Sequence, residues 1–170
     1  MILPITKEPE PILRAPAVPI DTVTDEIRRL ARNMIETMHA ADGVGLAANQ
    51  VASPLDLFVA SPDGKPGREL AVVNGRIVER RGAAPSAEGC LSVPGVSEEI
   101  RRAVRVKLTG LNLEGRPITI ETEGLLAKVL QHETDHLQGR FFFDHLGWLP
   151  RRRLLSRYRE LRRTLGEINL

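Results

Sequence analysis

Two of the four histidines in this 170-residue chain stand four residues apart, in His132-Glu133-Thr134-Asp135-His136. On a helix with 3.6 residues per turn these two positions sit about 40° apart, one above the other. Two imidazoles so placed can hold one metal ion, while the carboxylate of Glu133 beside them reaches a water on that ion. A chance pair of helical histidines would share the spacing, but it would not need the Glu between them. A catalytic metal site normally takes three protein ligands and keeps one position open, so a third ligand must come from elsewhere. One subclass of metalloproteases would place another histidine six residues after His136, and that position is Phe142. Glu160 offers a carboxylate, but it stands in a run of arginines. Cys90 is the better candidate, in Glu88-Gly89-Cys90-Leu91-Ser92-Val93-Pro94, whose Gly and Pro suit a fixed turn rather than a regular strand. A lone cysteine is about as often a small buried hydrophobe. Residue types alone therefore leave the third ligand open.

A further segment, Gly43-Val44-Gly45-Leu46-Ala47-Ala48-Asn49-Gln50, has glycines that permit close backbone approach and a Gln50 amide able to donate. Alone it reads as a helix stop and a turn. Together the three segments resemble the signature motifs of the peptide deformylase family: GxGLAAxQ at Gly43–Gln50, EGCLS at Glu88–Ser92 and QHExDHLxG at Gln131–Gly139. Every fixed position matches. The resemblance implies a cytoplasmic metal-dependent hydrolase that removes the N-formyl group from the formylmethionine of newly made proteins and releases formate. It implies Cys90, His132 and His136 as metal ligands, with water as the fourth. Glu133 would be general base and then general acid, and Gln50 with the backbone N–H of Leu91 would hold the oxyanion. Val44, Gly45, Gly89, Leu125 and Val129 would bind substrate. The implied metal is Fe2+ in the cell, with Zn2+, Ni2+ or Co2+ able to replace it. Arg102, or Arg101 beside it, stands where the family commonly has an arginine before a strand. Asn74-Gly75 departs from the Asn-Pro often found there, which is expected to loosen a loop.

The chemistry agrees with those roles. A metal ion brings the pKa of water from about 15.7 toward roughly 7, and losing one oxyanion donor costs about 100-fold or more in rate. A formyl carbon carries only hydrogen beside the amide, so a cramped site excludes acetyl by size. Two other readings compete. A zinc peptidase would share the two histidines and Glu133 but would have no need of Cys90. A structural zinc module would need four protein ligands, and only His39 and His145 remain among the histidines.

The elements that must position these residues are legible in the apolar spacing. Residues 1–20 carry five of the twelve prolines and read as an extended arm lying on the body. Ile27, Leu30, Ala31, Met34 and Met38 share one helical face, with Asp21, Thr22 or Thr24 able to cap the start and Gly43 to stop it. From Leu55 to about Ile120 the pattern turns to strands: Leu55–Ala60 and Leu70–Val73 are short apolar runs. Val104, Val106 and Leu108 alternate with Arg105 and Lys107, and residues 113–116 turn into Ile118–Ile120. Gly124 precedes a second helix over about Leu125–Leu137, and a third follows Pro150. In that second helix Leu125 and Val129 extend the His132 side toward the N-terminus, so the site should open onto an apolar wall. The expected class is α+β, with mainly antiparallel β-sheets packed around the central helix that carries the histidines, an N-terminal helix and a C-terminal helix, all in one domain over residues 1–170. The single cysteine and a start without a basic segment and apolar core point to a reducing cytosol rather than export. A net charge of +2 and the lack of a long apolar run lead us to expect neither DNA nor membrane as partner. Arginines crowd residues 151–163 around an apolar stripe of Leu154, Tyr158, Leu161 and Leu165. That helix either packs on the body as a solvated surface element or also docks on ribosomal RNA.

Overall fold

The computed structural model describes residues 1–168. Asp25–Ala40 forms α1, opened by Thr24, whose hydroxyl accepts from the Ile27 N–H at 3.4 Å. Of the three candidate caps Thr24 is the one used, and the acidic Asp25 and Glu26 in the first turn suit the positive end of the helix dipole. The chain then runs through β1 (Gly45–Ala47), β2 (Leu57–Ala60), β3 (Leu70–Arg81), β4 (Ala84–Cys90), β5 (Val93–Arg102), β6 (Arg105–Leu111) and β7 (Pro117–Glu123). Two helices finish it, α2 (Gly124–Leu137) and α3 (Trp148–Ile168). Five strands pair antiparallel in the order β1-β2-β3-β6-β7, and β4 with β5 forms a separate antiparallel hairpin.

The apolar run of β2 is explained by burial on both faces. Leu57 and Val59 pack against Ile27, Ala31, Met34 and Met38 of α1. Their neighbours Phe58 and Ala60 point the other way, into a cluster with Ala127, Val129 and Leu130 of α2. Alternate side chains of one strand thus meet two different helices. In β1 the same alternation sends Leu46 toward α1 and Ala47 toward α2. A third cluster joins Val93, Val96 and Ile100 of β5 to Phe141, Phe142 and Phe143 and to Leu154 and Tyr158 of α3.

Several expectations need correction. The segment from Glu88 to Pro94 is less a turn than the end of one strand and the start of the next: Cys90 closes β4, Val93 opens β5, and only Leu91 and Ser92 turn between them. The last helix starts at Trp148, before Pro150, because the missing N–H of proline lies in the first turn, where no carbonyl waits for it. Asn74-Gly75 is no loosened loop. It sits at a β-bulge inside β3, where the Asn74 side chain donates to the Ile20 carbonyl at 2.8 Å and accepts from the Ile20 N–H at 2.9 Å. The proline-rich arm is extended apart from one 3-10 turn at Pro11–Arg14, and it is tied down by Thr6 N–H to Gln50 O and Glu8 N–H to Ser92 O. Leu154, Tyr158 and Leu161 of the C-terminal stripe do pack on the body, while the side chain of Leu165 lies outside the described residues.

Candidate metal centre

Helix α2 carries His132 and His136 on the face turned toward the end of β4. His136 Nε2 lies 3.2 Å from His132 Nε2 and 3.2 Å from Cys90 Sγ, and one ligand atom from each of the three residues lies within 4.8 Å of the others. The tautomer of His132 is set from behind. Burial alone would raise the Glu88 carboxyl, but Arg102 and His132 outweigh it and bring it down to about 2. An ionised carboxylate only accepts, so His132 donates from Nδ1 to Glu88 Oε2 at 3.0 Å and keeps a lone pair on Nε2. Burial would likewise raise the Cys90 thiol, yet His136 and His132 hold it well below its ordinary value, which favours the thiolate, the form that binds metals. A thiolate and two imidazole nitrogens converging this closely repel one another unless a cation lies between them. Their chemistry suits zinc or ferrous iron.

Glu133 is buried beside these donors and its Oε2 has no hydrogen-bond partner among the described residues. Burial pushes its carboxyl up to about 7, against the pull of His132 and His136. Gly45 makes room for it. A Cβ on residue 45 would collide with Glu133 Oε1 and stand 2.8 Å from Glu133 Cδ and from Val129 Cγ1. We expect Gly45→Ala to lower turnover about 100-fold by displacing the carboxylate. Metal content should stay unchanged, because the added methyl meets none of the three donors. Wild-type turnover in that variant would show that Glu133 can retreat without consequence.

Gln50 is held in one orientation. Its Oε1 accepts from the Ala47 N–H at 2.8 Å, and its Nε2 donates to Ser92 Oγ at 3.1 Å and toward Cys90 Sγ at 3.4 Å. Beside it opens a cavity of about 520 Å³ whose wall includes Val44, Gly45, Gln50, Gly89, Cys90, Leu91, Leu125, Val129, His132 and Glu133. Of the residues singled out from the sequence only His136 is absent from that wall. It lies fully buried behind His132, with its ring edge-on to Phe141 at 5.3 Å.

Behind the donors runs a chain of buried charges. Arg102 forks onto Glu88, with Nε to Oε1 at 2.8 Å and Nη2 to Oε2 at 2.9 Å, and its Nη1 donates to Asp135 Oδ2 at 2.6 Å. His145 Nε2 lies 2.7 Å from the same Asp135 oxygen. Arg101 is exposed and donates only to the Ala83 carbonyl, so Arg102 is the arginine that matters here. Arg102→Met leaves two buried carboxylates without their cation, which costs about 3–5 kcal/mol. The expected fall in Tm is roughly 10 °C for a chain of this size. Because Glu88 then loses the group that fixes it under His132, metal affinity should drop about 10–100-fold. A variant that melts and binds metal like the parent would show that the bridge holds nothing in place.

The sequence profile of the family described as polypeptide deformylase matches residues 2–151. The chain belongs to the polypeptide deformylase family. A peptide deformylase of Alkalilimnicola ehrlichii is 44% identical over 170 residues, spanning 99% of this chain and 95% of that protein. The crystal structure of a peptide deformylase from Legionella pneumophila superposes with a TM-score of 0.92 at 37% identity, covering 98% of each chain. That of the Thermus thermophilus peptide deformylase gives 0.89 at 42% identity, covering 98% of this chain and 99% of that one. Most of α3 lies beyond the part that the family profile covers.

For this member of the family, residue-type reasoning picked out every group of the metal cluster but missed what orients it. Glu88 was read only as part of a motif, and Asp135 and His145 were not assigned roles. One signal was available: Asp135 is an acidic residue on the same helical side as His132, where burial without a cation would be costly. Lys7 was also missed. It reaches from the proline-rich arm into the cavity wall and donates to the Leu91 carbonyl at 2.6 Å. Nothing in the composition of that arm marks the contact.

Proposed function

We propose that this chain hydrolyses the formyl amide of N-formylmethionyl peptides, with Cys90, His132 and His136 holding one divalent metal ion. The observation that carries the reading is the meeting of one thiolate and two imidazoles beside a buried carboxylate, in a cavity lined by residues of all three motifs. When bound, the ion supplies a Lewis acid that brings the pKa of water toward roughly 7. Glu133 takes the proton of the attacking water with its unpartnered oxygen and later delivers it to the departing methionine nitrogen. Gln50 Nε2 and the Leu91 N–H face the carbonyl oxygen as it gains charge. For this, Gln50 has to exchange its long contact with Cys90 Sγ for the substrate oxygen. Val44, Leu125 and Val129 take the methionine side chain, and Gly45 and Gly89 let the peptide backbone come close. The products are formate and a peptide with a free N-terminal methionine. The ion in the cell is Fe2+, with Zn2+, Ni2+ or Co2+ as substitutes, because a mixed sulfur and nitrogen donor set accepts all of them.

The test is formate release from a formyl-Met peptide by protein purified without oxygen, alongside cleavage of the same peptide unblocked. Formate from the first with no cleavage of the second is expected. The reverse would favour the peptidase reading, which has no use for Cys90.

The same proposal sets the chain to work in the cytoplasm, as one domain, where nascent peptides appear. No described helix is long and apolar enough to cross a membrane. On α3 the exposed Arg153, Arg157, Arg159 and Arg163 point away from the packed stripe and are suited to ribosomal RNA. Truncation is a poor test, since Leu154 and Tyr158 are buried and each contributes about 1.5–3 kcal/mol. Changing those four arginines to glutamine should abolish salt-sensitive ribosome binding and spare hydrolysis of a short formyl-peptide. Undiminished ribosome binding would leave α3 a packing element only.

A further inference from the structure

A second cavity, of about 530 Å³, opens at the far end of the bridge that runs from Glu88 through Arg102 to Asp135. Five of its eleven lining residues are arginines and only one, Asp135, is acidic. That acid is fully engaged, since its Oδ2 meets both Arg102 and His145. Arg102 is balanced by Glu88 and Asp135, and Arg76 is paired with Asp56 at 2.6 Å. The remaining three have no such balance. Arg101 donates to a neutral carbonyl at 3.2 Å, and neither Arg80 nor Arg140 has a carboxylate within ion-pair distance among the described residues. They come from separate parts of the chain, Arg80 from β3, Arg101 from β5 and Arg140 from the turn after α2.

Guanidinium groups gathered round one hollow repel each other, and a concave wall of one sign concentrates the opposite charge. The proton-transfer and metal-binding groups make no use of this face. We propose that the cavity binds a phosphate group, held by the forked donors of Arg80, Arg101 and Arg140 with the Gln138 amide at the same wall. Planar guanidinium forks match the tetrahedral oxygens of phosphate two at a time, and carry no demand for a particular substituent beyond it. A free phosphate and a phosphodiester of RNA therefore offer the same chemistry. The proposal does not depend on the deformylase reading, because none of these residues touches the metal cluster.

Titration calorimetry of the metal-loaded enzyme with inorganic phosphate at low salt tests it. Binding is expected, weakening as salt rises. The double variant R80Q/R140Q should lose about tenfold or more in affinity, as expected when two charge-assisted contacts go. R157Q/R159Q on α3 should bind phosphate as the parent does. The cavity variant keeps its metal ion, so phosphate held only at the metal would survive in it and overturn the proposal. Absence of binding to the parent, or loss confined to the α3 variant, would overturn it equally. A short single-stranded RNA added with phosphate separates the two sources: displacement of phosphate identifies the backbone phosphodiester, and independent binding identifies the free anion.

Discussion

Glu133→Ala is expected to lower formate release by at least about a thousandfold while about one metal ion per chain remains bound. The geometry separates the two properties. Cys90, His132 and His136 form the cluster that can hold a metal, and Glu133 is not in it. Its carboxylate lies alongside, fixed by the fit against Gly45, with Oε2 unpartnered. Removing it takes away the group that receives and returns a proton, and leaves both histidine nitrogens and the thiolate in place. Metal analysis together with single-turnover formate release checks this. Loss of metal in step with activity would make Glu133 a ligand and leave the proton shuttle without a candidate.

Cys90→Ala should have the larger effect on the metal itself. Outer partners of metal ligands account for about 10–100-fold in affinity, and a direct ligand should exceed that. The site around Cys90 is built for a negative sulfur: the Ser92 N–H and Gln50 Nε2 both approach Sγ at 3.4 Å, and two imidazoles face it. Alanine leaves those donors without their acceptor. Dialysis against a chelator followed by metal analysis should find the variant empty under conditions where the parent stays loaded. If both metal and deformylation survive, the third ligand must be sought elsewhere. Glu160, the alternative that the sequence offered, is exposed on α3. With iron bound, the parent should also lose activity in air through oxidation at the metal or at the sulfur. Equal lifetimes with and without oxygen would contradict that.

The parts of this molecule that could be read from residue order are those governed by local periodicity. α1 and α2 follow from apolar residues three and four apart, and the pairing of His132 with His136 follows from the same period. The third ligand needed a comparison of motifs, because Cys90 is 42 positions from His132 and no local rule links a strand end to a helix face. β4 and β5 were hidden for a different reason. Residues 84–102 hold few apolar side chains, and the hairpin buries only Val93, Val96 and Ile100 into the third cluster, so the alternation is too sparse to announce two strands. The charge chain from Glu88 to His145 was illegible because it joins four segments, and each member reads alone as an ordinary surface residue. Burial turns them into a unit, and burial is a property of the assembled fold.

β1 is the last strand of its sheet and β4 pairs only with β5, so among the described residues each keeps one edge without a partner strand. Both edges reach the cavity, through Gly45 and Gly89, at positions where no side chain intervenes. A strand edge recognises the repeating amide groups of a polypeptide, which are the same whatever residues follow the first. Selectivity can then reside wholly in the first residue and its blocked nitrogen. Everything downstream is gripped through features common to all proteins, which lets one small catalyst treat an entire proteome as a single substrate.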